Sequence, residues 1–267
     1  MPPLGLAHFS VIQVPPLELV GLAARCGYSS IGLRLHPAFP GAPYYEVRAG
    51  STTSKEMHKR LSDEGIRVYD IEFITIDADF VPATLTKILD DASALGARRL
   101  SVCGDDADRG RLIANFATLC ALADRFGMGV DLECMAWRRV ASIDDALEVV
   151  HCAAQPNAGL LIDALHLART GGTPQDLRRV PAHFIRSAQI CDAGASVPAT
   201  RDAIIQEARS GRLPPGQGTL PLRELIAELP SGTTLSVEVP MKESDNAFEH
   251  ALANIQAAEK VFHAAAV

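Results

Sequence analysis

No apolar run in this chain reaches the roughly 18 residues that a membrane-spanning helix needs, so the sequence predicts no membrane segment. The amino terminus has neither the basic start nor the sustained apolar stretch of a secretory signal, from which we expect a cytoplasmic protein. Basic residues number 25 against 32 acidic ones, and the resulting net charge of −7 argues against binding to phosphate backbones. We therefore expect neither a membrane partner nor a nucleic-acid partner.

The sequence also lacks the motifs of a disulfide framework, a zinc knuckle or a nucleotide-binding loop. Its six cysteines are scattered without close pairs, which predicts reduced, mostly buried thiols. No G-x-G-x-x-G follows the first predicted strand, and no Walker-type G-K-[ST] occurs anywhere. These absences disfavour the commonest open-sheet nucleotide-binding folds.

What the sequence does contain is a regular alternation of short aliphatic runs and amphipathic stretches. The aliphatic runs predict eight strands, at 4–9, 30–35, 66–74, 99–103, 128–134, 159–163, 184–190 and 234–239. The stretches between them predict helices at 17–26, 51–64, 82–95, 109–126, 142–154, 165–169 with 174–180, 220–229 and 244–263. Alternating strands and helices favour a parallel sheet, and the 267-residue length is close to the roughly 250 residues of an eight-fold barrel. We predict an α/β fold, a (β/α)8 TIM barrel that forms a single domain over residues 1–267.

Polar residues concentrate at the carboxyl ends of the predicted strands, the end at which TIM-barrel active sites lie. Because side chains alternate between the two faces of a strand, residues of one parity are expected to point into the barrel. The polar residues of that parity are His8, Arg34, His36, Asp70, Glu72, Asp131, Glu133, Asp163, Ser187, Gln189, Ser236 and Glu238. They predict a polar cluster at one rim of the barrel.

Four oxygen donors stand at the tips of separate strands within this set: Glu133, Asp163, Gln189 and Glu238. Three carboxylates and a carboxamide repel one another unless a cation lies among them. An all-oxygen set suits Mg²⁺, Mn²⁺ or Co²⁺ better than a structural zinc. We therefore expect these four residues to hold one divalent metal ion.

In an alternative interpretation, each acid forms an ion pair with its own arginine instead of sharing a metal ion, for example Glu72 with Arg34 and Glu133 with Arg138. Two further features are open to two interpretations each. His166 is either a functional group or a polar residue at the start of a helix. The segment 209–218 is either a lid over the site or a rigid turn.

At these residues the chain resembles the xylose isomerase-like barrel superfamily, the sugar phosphate isomerase/epimerase group, over essentially its whole length. The matching pieces are Leu132-Glu133, Asp163-Ala-Leu-His166, Gln189 in Ser-Ala-Gln-Ile-Cys-Asp, Glu238 in Ser-Val-Glu-Val-Pro, and Arg212-Leu-Pro-Pro-Gly-Gln-Gly218. The resemblance implies that Glu133, Asp163, Gln189 and Glu238 hold the metal and that His166 contacts the substrate. It also implies that the two glutamates carry protons.

Within that superfamily, the sequence departs from some members and matches others. Ketose 3-epimerases usually have histidine where Gln189 stands and arginine six residues later, where this chain has Ala195. Inosose and 3-dehydroshikimate dehydratases are more similar because they use glutamine as the third ligand. Some of the latter carry histidine where this chain has Met135. The resemblance therefore favours more than one reaction.

From these observations we expect a divalent-metal-dependent isomerase or epimerase that acts on a sugar or polyhydroxylated carbonyl compound by proton transfer through a metal-stabilised enediolate. The alternatives are a dehydratase (lyase) of a cyclic keto-polyol, such as 3-dehydroshikimate or inosose, and a non-catalytic polyol-binding barrel. The expected partner is the small substrate, and a homo-oligomer is left open. The residues expected to act in catalysis are Glu133, Glu238 and His166, with His166, Arg34, Glu72 and His36 as substrate contacts.

Overall fold

Eight parallel strands pair in sequence order, and the last pairs with the first to close a barrel in the computed structural model, which describes residues 2–242 and 244–265. The strands are β1 (Leu4–Leu6), β2 (Ser30–Leu33), β3 (Arg67–Ile76), β4 (Arg99–Gly104), β5 (Gly129–Glu133), β6 (Ala158–Asp163), β7 (Ile185–Ile190) and β8 (Thr234–Val237). Every predicted strand is present within a few residues of its expected bounds. The closed parallel barrel confirms the predicted fold class.

Helices connect the strands around the outside of the barrel. They are α1 (Pro16–Cys26), α2 (Thr52–Glu64), α3 (Thr86–Ala94), α4 (Arg109–Asp124), α5 (Ile143–Ala153), α6 (Ala164–Arg169), α7 (Arg201–Gln206), α8 (Leu222–Glu228) and α9 (Ala247–Ala265). Short 3₁₀ turns lie at His8–Val11, Pro82–Leu85 and Pro174–Arg179, and a π turn follows α7 at Glu207–Gly211. In the described part of the chain, every helix is too short or too polar to span a bilayer.

Two helical predictions differ from the structure in detail, and one helix was not predicted. The predicted helix 82–95 divides into a 3₁₀ turn and α3, and the predicted helix 174–180 is a 3₁₀ turn. The sequence did not predict α7, because none of its residues is buried and it therefore has no apolar periodicity. Residue 243 and residues 266–267 lie outside the described residues.

The helix boundaries follow from capping residues that are readable in the sequence. Ser51 accepts a hydrogen bond from the backbone N–H of Ser54, and Ser142 forms a capping box with Asp145 at the start of α5. Gly65 ends α2 in the left-handed conformation, with φ of 67°, which an L side chain adopts only under strain. These caps set the lengths of the crossovers and hence the places where the strands end.

Inside the barrel, the inward-facing polar residues form hydrogen-bonded layers rather than isolated charges. In the lower layer, Asp131 pairs with Arg99 and accepts a hydrogen bond from Ser187 at 2.8 Å. Ser101 donates to Asp70 at 3.2 Å. These partners satisfy the buried polar groups of the lower layer. The acids at the rim therefore lie above a layer that hydrogen bonds hold in place.

We expect Phe116→Ala, at the centre of α4, to lower the free energy of unfolding by about 3–5 kcal/mol, because Phe116 is fully buried and its loss leaves a cavity. Thr118→Ala on the exposed side of the same helix should change it by less than about 0.5 kcal/mol. Urea titration followed by circular dichroism measures both. Equal losses in the two variants would contradict the packing described here.

Candidate metal and substrate site

A cavity opens at the carboxyl ends of the strands, where six of the residues expected from the sequence come together. They are Arg34, Glu72, Glu133, His166, Gln189 and Glu238. Asp163 lies beside them and is fully buried. His36 does not line the cavity, because it follows the end of β2 by three residues and strand alternation no longer sets its direction.

The acidic half of the cavity is built from the tips of β5 and β6. One oxygen each of Glu133 and Asp163 and one ring nitrogen of His166 lie within 4.8 Å of one another, close enough to share an ion. One oxygen of the Asp163 carboxylate also accepts the backbone N–H of His166 at 2.9 Å, so it caps α6, while the other accepts a hydrogen bond from Arg212. The Asp-x-x-His spacing thus places two potential metal ligands, Asp163 and His166, close together at the tip of β6.

The tips of β7 and β8 supply the other half of the cluster. The amide nitrogen of Gln189 donates to Glu238 at 3.0 Å, which leaves the Gln189 amide oxygen as an acceptor. That oxygen is buried and has no hydrogen-bond partner among the described residues. A buried acceptor without a donor is destabilising unless a ligand or cation meets it.

Arg212 is a member of the site that our reasoning from the sequence missed. Its guanidinium is buried, with Nη1 at 2.5 Å from Asp163 and Nη2 at 3.0 Å from Glu238. The motif Arg212-Leu-Pro-Pro-Gly-Gln-Gly was visible in the sequence, but nothing in its spacing indicates a side chain that enters the barrel. An arginine therefore does reach this site, although position 195 holds alanine.

The segment that delivers Arg212 is held to the barrel by Asp192. Asp192 and Leu213 exchange two backbone hydrogen bonds of 2.8 Å, and the Asp192 carboxylate accepts the N–H groups of Gly216 and Leu220 at 2.9 Å. A Cβ atom at Gly218 would overlap the backbone of Ala193, so only glycine fits there. This bonding supports the rigid turn rather than the lid.

Burial and mutual repulsion set the protonation of the cluster. Burial, together with the negative charges of Asp163 and Glu238, raises the pKa of Glu133 well above its ordinary value. Burial raises the pKa of Glu238 to about 7 against the opposing effect of Arg212. Burial would also raise the pKa of Asp163, but the charge and hydrogen bond of Arg212 and the backbone N–H of His166 outweigh it and hold that pKa below its ordinary value.

His166 is a neutral imidazole in this environment. Burial lowers the pKa of His166 to about 4, and the neighbouring Asp163 only partly opposes that effect. The Trp137 ring packs edge-on against the imidazole, with centroids 5.0 Å apart at 78°, and it lines the cavity. His166 therefore offers the cavity one hydrogen-bonding group without bringing a charge.

The alternative interpretation, in which each acid forms an ion pair with its own arginine, is confirmed for Glu72 and is wrong for Glu133. Glu72 accepts the backbone N–H groups of His8 at 2.6 Å and Phe9 at 3.0 Å, and Arg34 lies 3.5 Å from it. Arg138 pairs with Asp105 at 2.7 Å instead of with Glu133. Glu72 thus ties β3 to the end of β1, while Glu133 remains available to the cavity.

The donor set fits a divalent cation. Glu133, Asp163 and Glu238 supply three negative charges when a cation displaces the protons of the two glutamates, and Arg212 compensates one of them. The unpartnered amide oxygen of Gln189 adds an acceptor, and the imidazole of His166 adds a nitrogen. Hard oxygen donors with one nitrogen suit Mg²⁺, Mn²⁺, Co²⁺ or a catalytic zinc.

Comparison with known proteins gives one family and several relatives. The sequence profile of a family described as xylose isomerase-like TIM barrel matches residues 20–258. The 3-dehydroshikimate dehydratase of Pseudomonas aeruginosa is 30% identical over 102 residues, which is 38% of this chain and 16% of that protein. The enzyme of the same name from Pseudomonas putida is 27% identical over 141 residues, which is 51% and 22% of the two chains. These alignments span about a fifth of the length of the curated relatives.

Solved structures share the fold at low sequence identity. The IOLI protein with a bound zinc atom has a TM-score of 0.80 at 16% identity, covering 97% of this chain and 98% of its own. A probable 3-DHS dehydratase, AsbF of Bacillus anthracis, has a TM-score of 0.76 at 15% identity, covering 97% of this chain and 99% of its own. The D-allulose 3-epimerase of a Methylomonas species has a TM-score of 0.71 at 16% identity, covering 97% of this chain and 96% of its own. These similarities establish a common fold.

We expect Arg212→Gln to lower the free energy of unfolding by about 3–5 kcal/mol in metal-free protein, because it leaves Asp163 and Glu238 buried without their cation. The matched control is Arg178→Gln, which breaks an exposed pair with Glu228 and should cost less than about 1 kcal/mol. Chemical denaturation of both variants provides the measurement. A loss at Arg212 no larger than at Arg178 would show that this guanidinium does not compensate the cluster.

Proposed function

Since this chain belongs to the xylose isomerase-like TIM barrel family, we propose that it is a divalent-metal-dependent isomerase or epimerase of a sugar or other polyhydroxylated carbonyl compound. The observation that carries the proposal is a pair of buried glutamates, Glu133 and Glu238, which face one cavity beside Asp163 and the open amide oxygen of Gln189. Family membership supports an enzyme in general. The donor set supports this particular chemistry.

Glu133, Asp163, Gln189 and Glu238 would hold the metal ion, with His166 beside them. Bound there, a divalent cation would supply the positive charge that polarises a substrate carbonyl and makes the adjacent C–H more acidic. Arg212 keeps Asp163 ionised, as the lowered pKa of Asp163 indicates. One member of the set is thus negatively charged even before a cation binds.

Glu133 and Glu238 are the proton carriers in this proposal. A group whose pKa lies near 7, as that of Glu238 does, can both accept and return a proton at neutral pH. One glutamate removes the proton next to the carbonyl, and the electron pair moves onto the carbonyl oxygen. Return of a proton to the opposite face of the same carbon inverts it. Return to the former carbonyl carbon, with the proton of the adjacent hydroxyl passing to the former carbonyl oxygen, converts an aldose into a ketose.

His166 would position the substrate. Its Nδ1 atom is buried and has no partner among the described residues, and its neutral ring can donate to or accept from a substrate hydroxyl. The contact with Trp137 fixes the plane of the ring. Ordering of this kind lowers the barrier by holding the reacting carbon against the glutamates.

Dehydration is the second candidate reaction. The two curated relatives are named 3-dehydroshikimate dehydratases. The resemblance noted from the sequence also implies that dehydratases of the superfamily use glutamine as a ligand, as this chain would use Gln189. The first step is the same removal of a proton next to a carbonyl. A hydroxyl on the next carbon then leaves as water after it takes up a proton, and a carbon–carbon double bond forms.

We expect Glu238→Gln to reduce turnover by at least about 10²-fold, because the amide cannot accept the substrate proton. The assay incubates the metal-loaded protein in D₂O with D-allulose, an inosose and 3-dehydroshikimate and follows C–H exchange and product by NMR. Exchange with a new stereoisomer or aldose indicates isomerase or epimerase, and an unsaturated product indicates dehydratase. Glu224→Gln, at an exposed site on α8, is the matched control and should retain full activity.

Activity that survives Glu238→Gln would remove this residue from the proton transfer. No exchange with any member of the panel would favour a barrel that binds a polyol without chemistry.

We expect Mn²⁺ to raise the melting temperature of chelator-treated protein, because a ligand of the native state stabilises it by about 2.7 kcal/mol at 100 times its dissociation constant. Gln189→Leu should weaken the effect, since it removes one donor while preserving the size of the side chain. Differential scanning fluorimetry with Mn²⁺, Mg²⁺, Co²⁺ and Zn²⁺ measures both. No stabilisation by any of the four ions would contradict the metal site.

A further inference from the structure

Three arginines from separate segments of the chain line the same cavity as the acidic cluster. Arg34 follows β2, Arg138 follows β5, and Arg209 lies in the π turn after α7. We name Arg34, Arg138 and Arg209 the basic wall. The proton-transfer steps proposed above make no use of the basic wall, although Arg34 is expected from the sequence to contact the substrate.

Arg34 is the buried member of the basic wall, with 4% of its surface exposed. Its guanidinium lies over the rings of Phe9 at 4.6 Å and Phe73 at 5.9 Å. Its Nε atom is buried and has no hydrogen-bond partner in residues 2–242 and 244–265. A buried guanidinium N–H without an acceptor is unfavourable, so this position is suited to an acceptor that arrives with a ligand.

Glu72 does not complete the coordination of Arg34. The two Glu72 oxygens accept the backbone N–H groups of His8 and Phe9, and the contact with Arg34 is long, at 3.5 Å. The carboxylate therefore serves mainly to hold the chain at the end of β1. Arg34 keeps hydrogen-bonding capacity that this acid does not use.

Arg209 is the exposed member of the basic wall. It lies over the ring of Phe39 at 4.4 Å and forms no ion pair with a carboxylate of the described residues. All three arginines line this one cavity. Partial burial and the positive charges of Arg138 and Arg34 lower the pKa of Arg209. Glu72 lies near Arg34, and Asp105 pairs with Arg138. These two acids compensate two of the three arginines, so one positive charge of the basic wall remains uncompensated.

We propose that Arg34 and Arg209, with Arg138 beside them, form an anion subsite that binds a carboxylate or phosphate group of the substrate. The inference rests on the proposed function and narrows it to an anionic polyhydroxylated carbonyl compound. Guanidinium groups bind both anions with paired hydrogen bonds. The basic wall attracts the anionic group, so the substrate binds with that group there and with its reacting carbon at Glu133 and Glu238.

The test compares neutral and charged members of two matched pairs on Mg²⁺-loaded protein. The carboxylate pair is shikimate and its methyl ester, and the phosphate pair is fructose 6-phosphate and fructose. Isothermal titration calorimetry measures the dissociation constants. We expect the charged member of at least one pair to bind about tenfold more tightly than the neutral one, and the pair that does so identifies the anion.

Variants of the basic wall separate the subsite from direct binding of the anion to the metal ion. Arg209→Gln should remove most of the charge preference, because Arg209 is exposed and its loss leaves the fold intact. Arg34→Gln should do the same, with its folding checked by circular dichroism because Arg34 is buried. Arg186→Gln, at an exposed position near the start of β7, is the control and should leave the preference unchanged.

Equal binding of charged and neutral members in both pairs would overturn the proposal. A preference that survives in Arg209→Gln would also overturn it, since the charge would then be recognised elsewhere. Failure of the proposed function appears separately, as absent deuterium exchange and absent stabilisation by metal ions. A protein that exchanges protons and binds metal but ignores substrate charge would retain its proposed function and lose only this subsite.

Discussion

The bridge from Arg212 to Asp163 and Glu238 is the interaction on which the rest of the site depends. Three carboxylates within a barrel interior repel one another, and a buried charge without a partner is strongly destabilising. Arg212 compensates one charge and leaves the set acidic. The cluster is therefore compatible with folding before a metal ion binds and still attracts one afterwards.

This bridge requires a precisely placed loop, and the fold supplies one. The long excursion between β7 and β8 returns to the barrel at Asp192, whose carboxylate and backbone bind the segment 213–220. Because Asp192 lies only three residues after Gln189, the same strand end that provides a donor also anchors the loop. A substitution of Asp192 would therefore displace Arg212 and so alter the acidic cluster.

Strand periodicity explains which parts of the site could be predicted from the sequence. Residues such as Glu133, Gln189 and Glu238 lie at or next to strand tips, where alternation of period two fixes the direction of a side chain. His36 lies beyond the end of β2, where alternation no longer applies, and it does not line the cavity. Arg212 and Arg209 come from a loop and a π turn without apolar periodicity, so their direction depends on tertiary contacts that the sequence does not display.

The charges of the whole cavity are consistent with one mode of substrate binding. Once a divalent cation has displaced the protons that burial favours on Glu133 and Glu238, these residues and Asp163 with Arg212 sum to −2, which the cation neutralises. The basic wall with Glu72 and Asp105 sums to +1, which a single carboxylate neutralises. A polyhydroxylated carbonyl compound that bears one carboxylate would thus leave the filled cavity without net charge, whereas a neutral sugar would leave a guanidinium of the basic wall unmatched. Because uncompensated charge is unfavourable in a cavity of buried walls, this balance favours an acid over a neutral sugar as the substrate.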